Sequence, residues 1–314
     1  MIYFFSLIEF SFFFLMAINI AHAEDPAPNK IDRTHEKIST SIFIITNKID
    51  SFFGSKISYE ENNGSNLRLY LTGTQQEYDE FKSEPNFQLN VRFRELEKRL
   101  NFRFERSNTT TDTTNQKVQG PIETTVVDDK TNSAYSTSLG FILEKTSTWN
   151  ISVDSGIKLE SKLNPFARVR ARKSIDFTHW ELRMIEELIN YTYGGLFQFT
   201  TVDFNIPIND IFDFRFVNNF SWEQRTDDIL TTHGPSLYHI LNEKMAMSYN
   251  IRSHFVNNPN EELFGHDLFI SYRQLLYDTW FFYEIIPGIS FLRERHFTKR
   301  GYMSAKIEAI FGNF

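Results

Sequence analysis

Six arginines recur at every second position in short runs: Arg92 and Arg94, Arg103, then Arg168, Arg170 and Arg172. On an extended strand, side chains two residues apart project to the same face, so these guanidinium groups would share one surface. A concentration of arginine on the inner wall of a pore attracts anions and selects by charge. The same placement also suits an internal ion-pair network with Arg183, Glu105, Glu160, Glu181 and Glu187. Residue spacing leaves both readings open.

Nucleophilic chemistry has fewer candidates. Ser253-His254 is followed by Asn257 and Asn258, and His233 and His239 lie near Ser236. A hydrolase needs a base within hydrogen-bond reach of its nucleophile and a third group to orient that base. Adjacent residues on a strand point to opposite faces, so His254 cannot serve Ser253, and the expectation is no enzyme. An outer-membrane lipid hydrolase stands only as a third alternative. The eight histidines show no paired ligand spacing, and there is no cysteine, so neither a thiolate metal site nor a disulfide is available. Asp227-Asp228 and Glu261-Glu262 read as solvated loop acids. No metal or cofactor is expected.

The elements that must position these residues alternate with a period of two. Leu67, Leu69 and Leu71 interleave with Arg68, Tyr70 and Thr72. Phe87, Leu89, Val91 and Phe93 interleave with Gln88, Asn90, Arg92 and Arg94. Further alternating segments cover Leu100–Glu105, Tyr135–Glu144, Trp149–Glu160, Phe166–Ile175, Trp180–Asn190, Leu196–Asn205 and Ile211–Glu223. They continue with Ser236–Asn242, Met245–His254, His266–Leu275, Trp280–Leu292 and Gly301–Phe311. Many of these reach ten residues or more, the length of a transmembrane β-strand. Short turns alternate with longer polar connections, Gln75–Glu84, Ser107–Asn132, Gln224–Gly234, Val256–Gly265 and Arg293–Lys299. That asymmetry fits an even, closed barrel with both termini in the periplasm. The expected fold is all-β, a transmembrane antiparallel β-barrel of about fourteen strands, with twelve as the fallback and one amphipathic α-helix in front. A soluble β-sandwich fits poorly, because long strands would expose whole Phe and Leu faces to water.

Alternation also assigns faces. Phe212, Phe214, Phe216, Trp149 and Phe311 are expected to face lipid and anchor the barrel, with Phe314 at the chain end. Arg92, Arg94, Arg103, Glu160, Arg168, Arg170, Arg172, Glu181 and Arg183 are expected to line the interior. An Arg or Lys turned to lipid at mid-membrane would cost about 2–4 kcal/mol, which enforces that choice. Glu186 counts as outward, so either a bulge shifts the register there or the position lies near the aqueous rim.

Residues 1–23 are Phe-rich and apolar and end in Ala21-His22-Ala23, the pattern of a cleaved secretory signal peptide. In residues 24–54, Ile31, Ile38, Ile42, Ile45, Ile49 and Phe52 have helical spacing, so a helix that plugs or docks on the barrel is expected. Residues 55–314 then form the barrel. Mean hydropathy is only −0.37 although aromatics are 16% of the chain, with 33 Phe. A barrel reconciles the two by hiding apolar residues at alternate positions. The net charge of −7 becomes −6 without Glu9, the one charge in residues 1–23, and carries no signal for nucleic acid.

With the segments NKIDSFFG, LRLYL, FFYEIIPGISF and KIEAIFG in view, the chain resembles Gram-negative outer-membrane β-barrels. More narrowly it is similar to an uncharacterised proteobacterial group with a short helix before the barrel. The resemblance implies an outer-membrane location, contact with outer-membrane lipids and the barrel assembly machinery, and small solutes as partners. It implies no site residues. Barrels of this kind end on an aromatic in phase with the last lipid face; Phe311 is in phase and Phe314 is not. The expected function is a passive channel or small-solute transporter with a charged, Arg-containing lumen. The alternative is a filled, non-conducting barrel with a structural or loop-binding role.

Overall fold

The computed structural model describes residues 65–92, 100–108, 133–146, 148–159, 162–257, 261–277 and 280–312. The signal peptide and the amphipathic helix expected in residues 1–54 lie outside them, as do Arg94, Glu160 and Phe314.

Fourteen strands follow one another: β1 Asn66–Gln76, β2 Lys82–Arg92, β3 Leu100–Asn108, β4 Ser133–Lys145, β5 Trp149–Leu159, β6 Leu163–Asp176 and β7 Glu181–Tyr191. Then come β8 Gly195–Pro207, β9 Phe212–Glu223, β10 Asp228–Asn242, β11 Met245–Asn257, β12 Glu261–Tyr277, β13 Phe281–Leu292 and β14 Lys299–Gly312. Each pairs antiparallel with its sequence neighbours. β14 closes onto β1, with Leu67 opposite Phe311 and Gln76 opposite Tyr302. Closure removes every free edge, and the fourteen-strand expectation holds over twelve.

At two places strands run further than their sequence pattern suggests. Gln224–Gly234 reads as a loop, yet β10 begins at Asp228. Val256–Gly265 also reads as a loop, yet β11 continues to Asn257 and β12 begins at Glu261. In the first the outward positions Thr231 and His233 are polar, so the apolar half of the alternation is missing while the ladder continues; in the second the register shifts between His254 and Phe255.

The wall is apolar outside and polar inside. Leu69, Leu71, Leu139, Ile157, Val169, Ile251, Leu268, Ile285 and Ile307 stand exposed on the outer face. A belt of this kind is stable only against lipid. Aromatic rings mark one rim: Phe177 stacks on Trp180 at 4.1 Å, Trp280 on Phe311 at 5.4 Å, and Lys173 lies 4.7 Å over the Trp149 ring. Trp222 stands at the other end, donating its indole N–H to Asp227. Phe212, Phe214, Phe216, Trp149 and Phe311 all fall on the outer face by strand register.

Candidate functional site

Arg103, Arg168, Arg170 and Arg183 are buried, and carboxylates lie beside them. Asp154 on β5 takes Arg168 at 3.0 Å and Arg103 at 3.6 Å. Glu187 on β7 lies 3.9 Å from Arg168 and 3.7 Å from Arg170. Gly140 on β4 leaves the space that Asp154 occupies; a Cβ there would stand 2.1 Å from its Oδ1. Arg183 pairs with Asp203 at 3.0 Å, while Glu181 accepts from the Asn205 amide and Asn205 accepts from Arg215. Arg172 also faces inward, opposite Asn150 and Ile185. Arg92 is described in backbone only, in register with Asn101.

A second network crosses the closing seam, among residues that alternation turns inward but cannot pair with one another. Arg273 on β12 reaches Glu308 at 2.5 Å and Glu284 at 3.5 Å; Lys306 takes the same Glu284 at 2.5 Å, and Arg68 pairs with Glu308. Removing one partner of such a buried pair strands a charge in a low-dielectric interior. These contacts therefore act together in fixing the register of β12, β13, β14 and β1.

Arg252 repairs a backbone defect. Pro235 lies within β10 and has no N–H for the ladder. The Arg252 guanidinium bonds the carbonyls of Pro235 at 2.9 Å and Ile251 at 2.8 Å, then Ser236 Oγ at 2.6 Å. It joins β10 to β11 where proline weakens their pairing.

Three of the four histidines of β10 to β12 sort into two clusters on opposite sides of the wall, and the fourth, His239, stacks on Phe212 outside at 4.3 Å. Inside, His254 Nε2 lies 2.9 Å from Asp267 Oδ2, and its Nδ1 lies 2.9 Å from Thr232 Oγ1. His254 and Asp267 have no exposure and Thr232 has 1%. The order acid, imidazole, hydroxyl is that of a catalytic triad, but no substrate can reach it, so it is a structural relay.

Outside, Asn218, His233, Ser253 and His266 form one cross-strand row, each directly opposite the next on β9, β10, β11 and β12. All four are half-buried. Asn218 Nδ2 donates to the Val202 carbonyl at 2.9 Å, which orients the amide, and its Oδ1 lies 2.9 Å from His233 Nδ1. On the other side Ser253 Oγ lies 2.8 Å from His266 Nδ1. The sequence argument that His254 cannot serve Ser253 holds, since they lie on opposite faces. Neighbouring strands supply two other histidines instead.

The polar outer band extends beyond that row. Glu186 faces outward on β7 in unbroken register with both neighbouring strands, and it lies mid-strand, so neither a bulge nor the rim accounts for it. Its carboxylate accepts from Gln198 at 2.7 Å and Thr200 at 2.6 Å, both outward on β8. The apolar residues of this part turn inward, where Phe166, Ile189, Tyr191 and Phe197 pack together.

No family model and no curated protein matches the chain. Among solved structures it is similar to Pseudomonas putida OprB at low pH, with TM-score 0.49, 8% identity, and 82% of this chain and 96% of that one covered. It is also similar to the outer membrane channel DcaP of Acinetobacter baumannii (TM-score 0.42, 6% identity, 79% and 96% covered). A third is OmpT, an outer-membrane protein of Vibrio cholerae (TM-score 0.42, 9% identity, 80% and 99% covered). These similarities are slight, and the barrel rests on this chain's own strand pairing.

Proposed function

We propose that the protein is an outer-membrane channel for small hydrophilic solutes, with a lumen whose charges compensate one another. One observation carries this reading: the barrel closes with fourteen strands around a polar, charged inner wall. Eight strands give an interior that side chains just fill, and sixteen to eighteen leave an aqueous channel. A fourteen-strand wall lies toward the wider end. Because Asp154 and Glu187 accompany Arg103, Arg168 and Arg170, the arginines act as half of an ion-pair network rather than as a bare anion filter.

A filled barrel is the second reading, favoured by the complete burial of Arg252, Arg273 and Glu308. Planar-bilayer recording of the refolded chain, with and without residues 24–54, separates the two. A channel with compensated charge gives steady conductance and a reversal potential near zero in a salt gradient. Asp154→Asn would then unmask Arg103 and Arg168 and shift the reversal toward anions. Conductance only after truncation would make residues 24–54 a plug. Silence from both forms of the chain, with folding verified, would sink the channel. Outer-membrane lipids and the barrel assembly machinery are the partners this reading requires.

A further inference from the structure

Among the described residues, the outward row on β9 to β12 is the one cluster that combines an accessible hydroxyl, imidazoles and a face turned to lipid. Its chemistry begins with tautomers. Asn218 Nδ2 donates to the Val202 carbonyl, so Oδ1 is the atom facing His233 Nδ1, and it accepts the hydrogen carried there. That leaves Nε2 of His233 as the basic nitrogen. Ser253 is directly opposite His233 on β11, at the separation where cross-strand side chains meet. From β12, His266 holds the Ser253 hydroxyl at 2.8 Å.

The surroundings suit an acyl chain. Ile251 and Leu268, two residues along from Ser253 and His266, are exposed on the apolar wall, and Phe255 and Phe291 flank the row on its other sides. The register of β11 and β12 shifts between His254 and Phe255, with Phe264 the extra residue on β12; such shifts are common beside functional sites.

We propose that Ser253 is the nucleophile of a lipid-facing acyl-ester hydrolase, with His233 as its base, Asn218 as the residue positioning that base, and a membrane-lipid carboxylic ester as substrate. Ser253 Oγ attacks the ester carbonyl carbon as its proton passes to His233 Nε2. The bond from carbonyl carbon to the lipid alcohol oxygen breaks, and His233 returns the proton to that oxygen. Water then adds to the acyl-serine, giving one proton to His233. Collapse releases the fatty acid and restores Ser253. His266, with its proton on Nδ1, donates to Oγ at rest and is placed to donate to the oxyanion. Donation to developing negative charge is the usual large term in such steps.

The test uses the full refolded chain in mixed micelles of detergent and phosphatidylethanolamine, reading fatty-acid release and labelling by a fluorophosphonate probe mapped by peptide mass. Wild type should release fatty acid and carry the label on Ser253. Ser253→Ala should lose both. His233→Ala should lower turnover about 10²–10⁴-fold, the range for losing a general base. Asn218→Asp places a carboxylate beside His233 and raises its pKa, so the acid limb of the pH–rate profile should move to higher pH. A merely structural asparagine would not produce that shift. Ser155→Ala, on the outer face of β5, should leave release unchanged. Heat-modifiable migration and circular dichroism establish folding of each variant. Folded wild type that neither releases fatty acid nor takes the label would overturn the proposal. So would release that survives in Ser253→Ala.

Discussion

Three dipeptides on adjacent strands, Thr232-His233, Ser253-His254 and His266-Asp267, are divided by the barrel wall into two clusters of nearly the same composition. The inner cluster, Thr232, His254 and Asp267, has continuous triad-like hydrogen bonding and no solvent access. The outer one, Ser253 between His233 and His266, is half-exposed and has Asn218 in place of the acid. Hydrogen-bond geometry alone would rank the inner cluster as the catalytic one. Access reverses that ranking, since a buried relay can only stabilise while a half-exposed row on the lipid face can meet a substrate. The difference teaches that in a β-wall the parity of a residue decides its chemistry as much as its type does.

The comparison breaks if inner and outer substitutions have similar effects on stability. The largest inner effect should come from Arg273→Met, which removes the cation shared by Glu308 and Glu284 and leaves them only Arg68 and Lys306. A loss of about 3–5 kcal/mol is expected for one partner removed from a buried ionic network, read from the urea midpoint of the barrel refolded in vesicles. Next, His254→Ala leaves Thr232 and Asp267 buried without their partner and should cost about 1–3 kcal/mol. His266→Ala, on the half-exposed outer row, should stay within about 0.5 kcal/mol in the same experiment. Equal losses for the two histidines would make the outer row as structural as the inner.

A smaller effect tests the rim. Lys173→Ala removes the cation over Trp149 and should cost about 0.5–1 kcal/mol, seen also as a change in tryptophan emission. The smallest effect concerns pH at the β1–β2 connection. The Gly301 N–H, and then the Tyr78 hydroxyl, hold the Glu77 carboxyl below its ordinary value of 4.5. Its folded pKa is therefore depressed. The tether to β14 is fully present above pH 4.5 and is lost as pH falls through the folded value. Amide exchange at residues 77–80 should accelerate in that acid window and stay flat between pH 6 and 8.

Much of the barrel is legible in the chain because alternation is a local signal. Phe212, Phe214 and Phe216 cannot face inward together with Asp213 and Arg215 facing lipid, so faces follow without any structure. The reading failed at residues 228–234, 256–257 and 261–265, taken as loops: Thr231 and His233 place polar side chains on the outer face of the first, and a register shift between His254 and Phe255 breaks the alternation beside the second. A search for alternating apolar positions passes over a strand that is polar on both sides. One residue of the stretch that hid β10, His233, also belongs to the candidate site, so its polarity concealed the strand and the site together. At Glu186 counting placed the side chain correctly, but its partners Gln198 and Thr200 lie on another strand.

What the sequence determined by itself is an all-β wall of about fourteen strands and which side chains share a face, because period two is written within each strand. Only the tertiary structure decided who meets whom. Asn218, His233, Ser253 and His266 come from four strands, and Arg273 reaches Glu308 and Arg68 across the seam where the chain's two ends join. Those contacts depend on register and closure, which are set by the hydrogen-bond ladders of all fourteen strands together, and no local pattern carries that information.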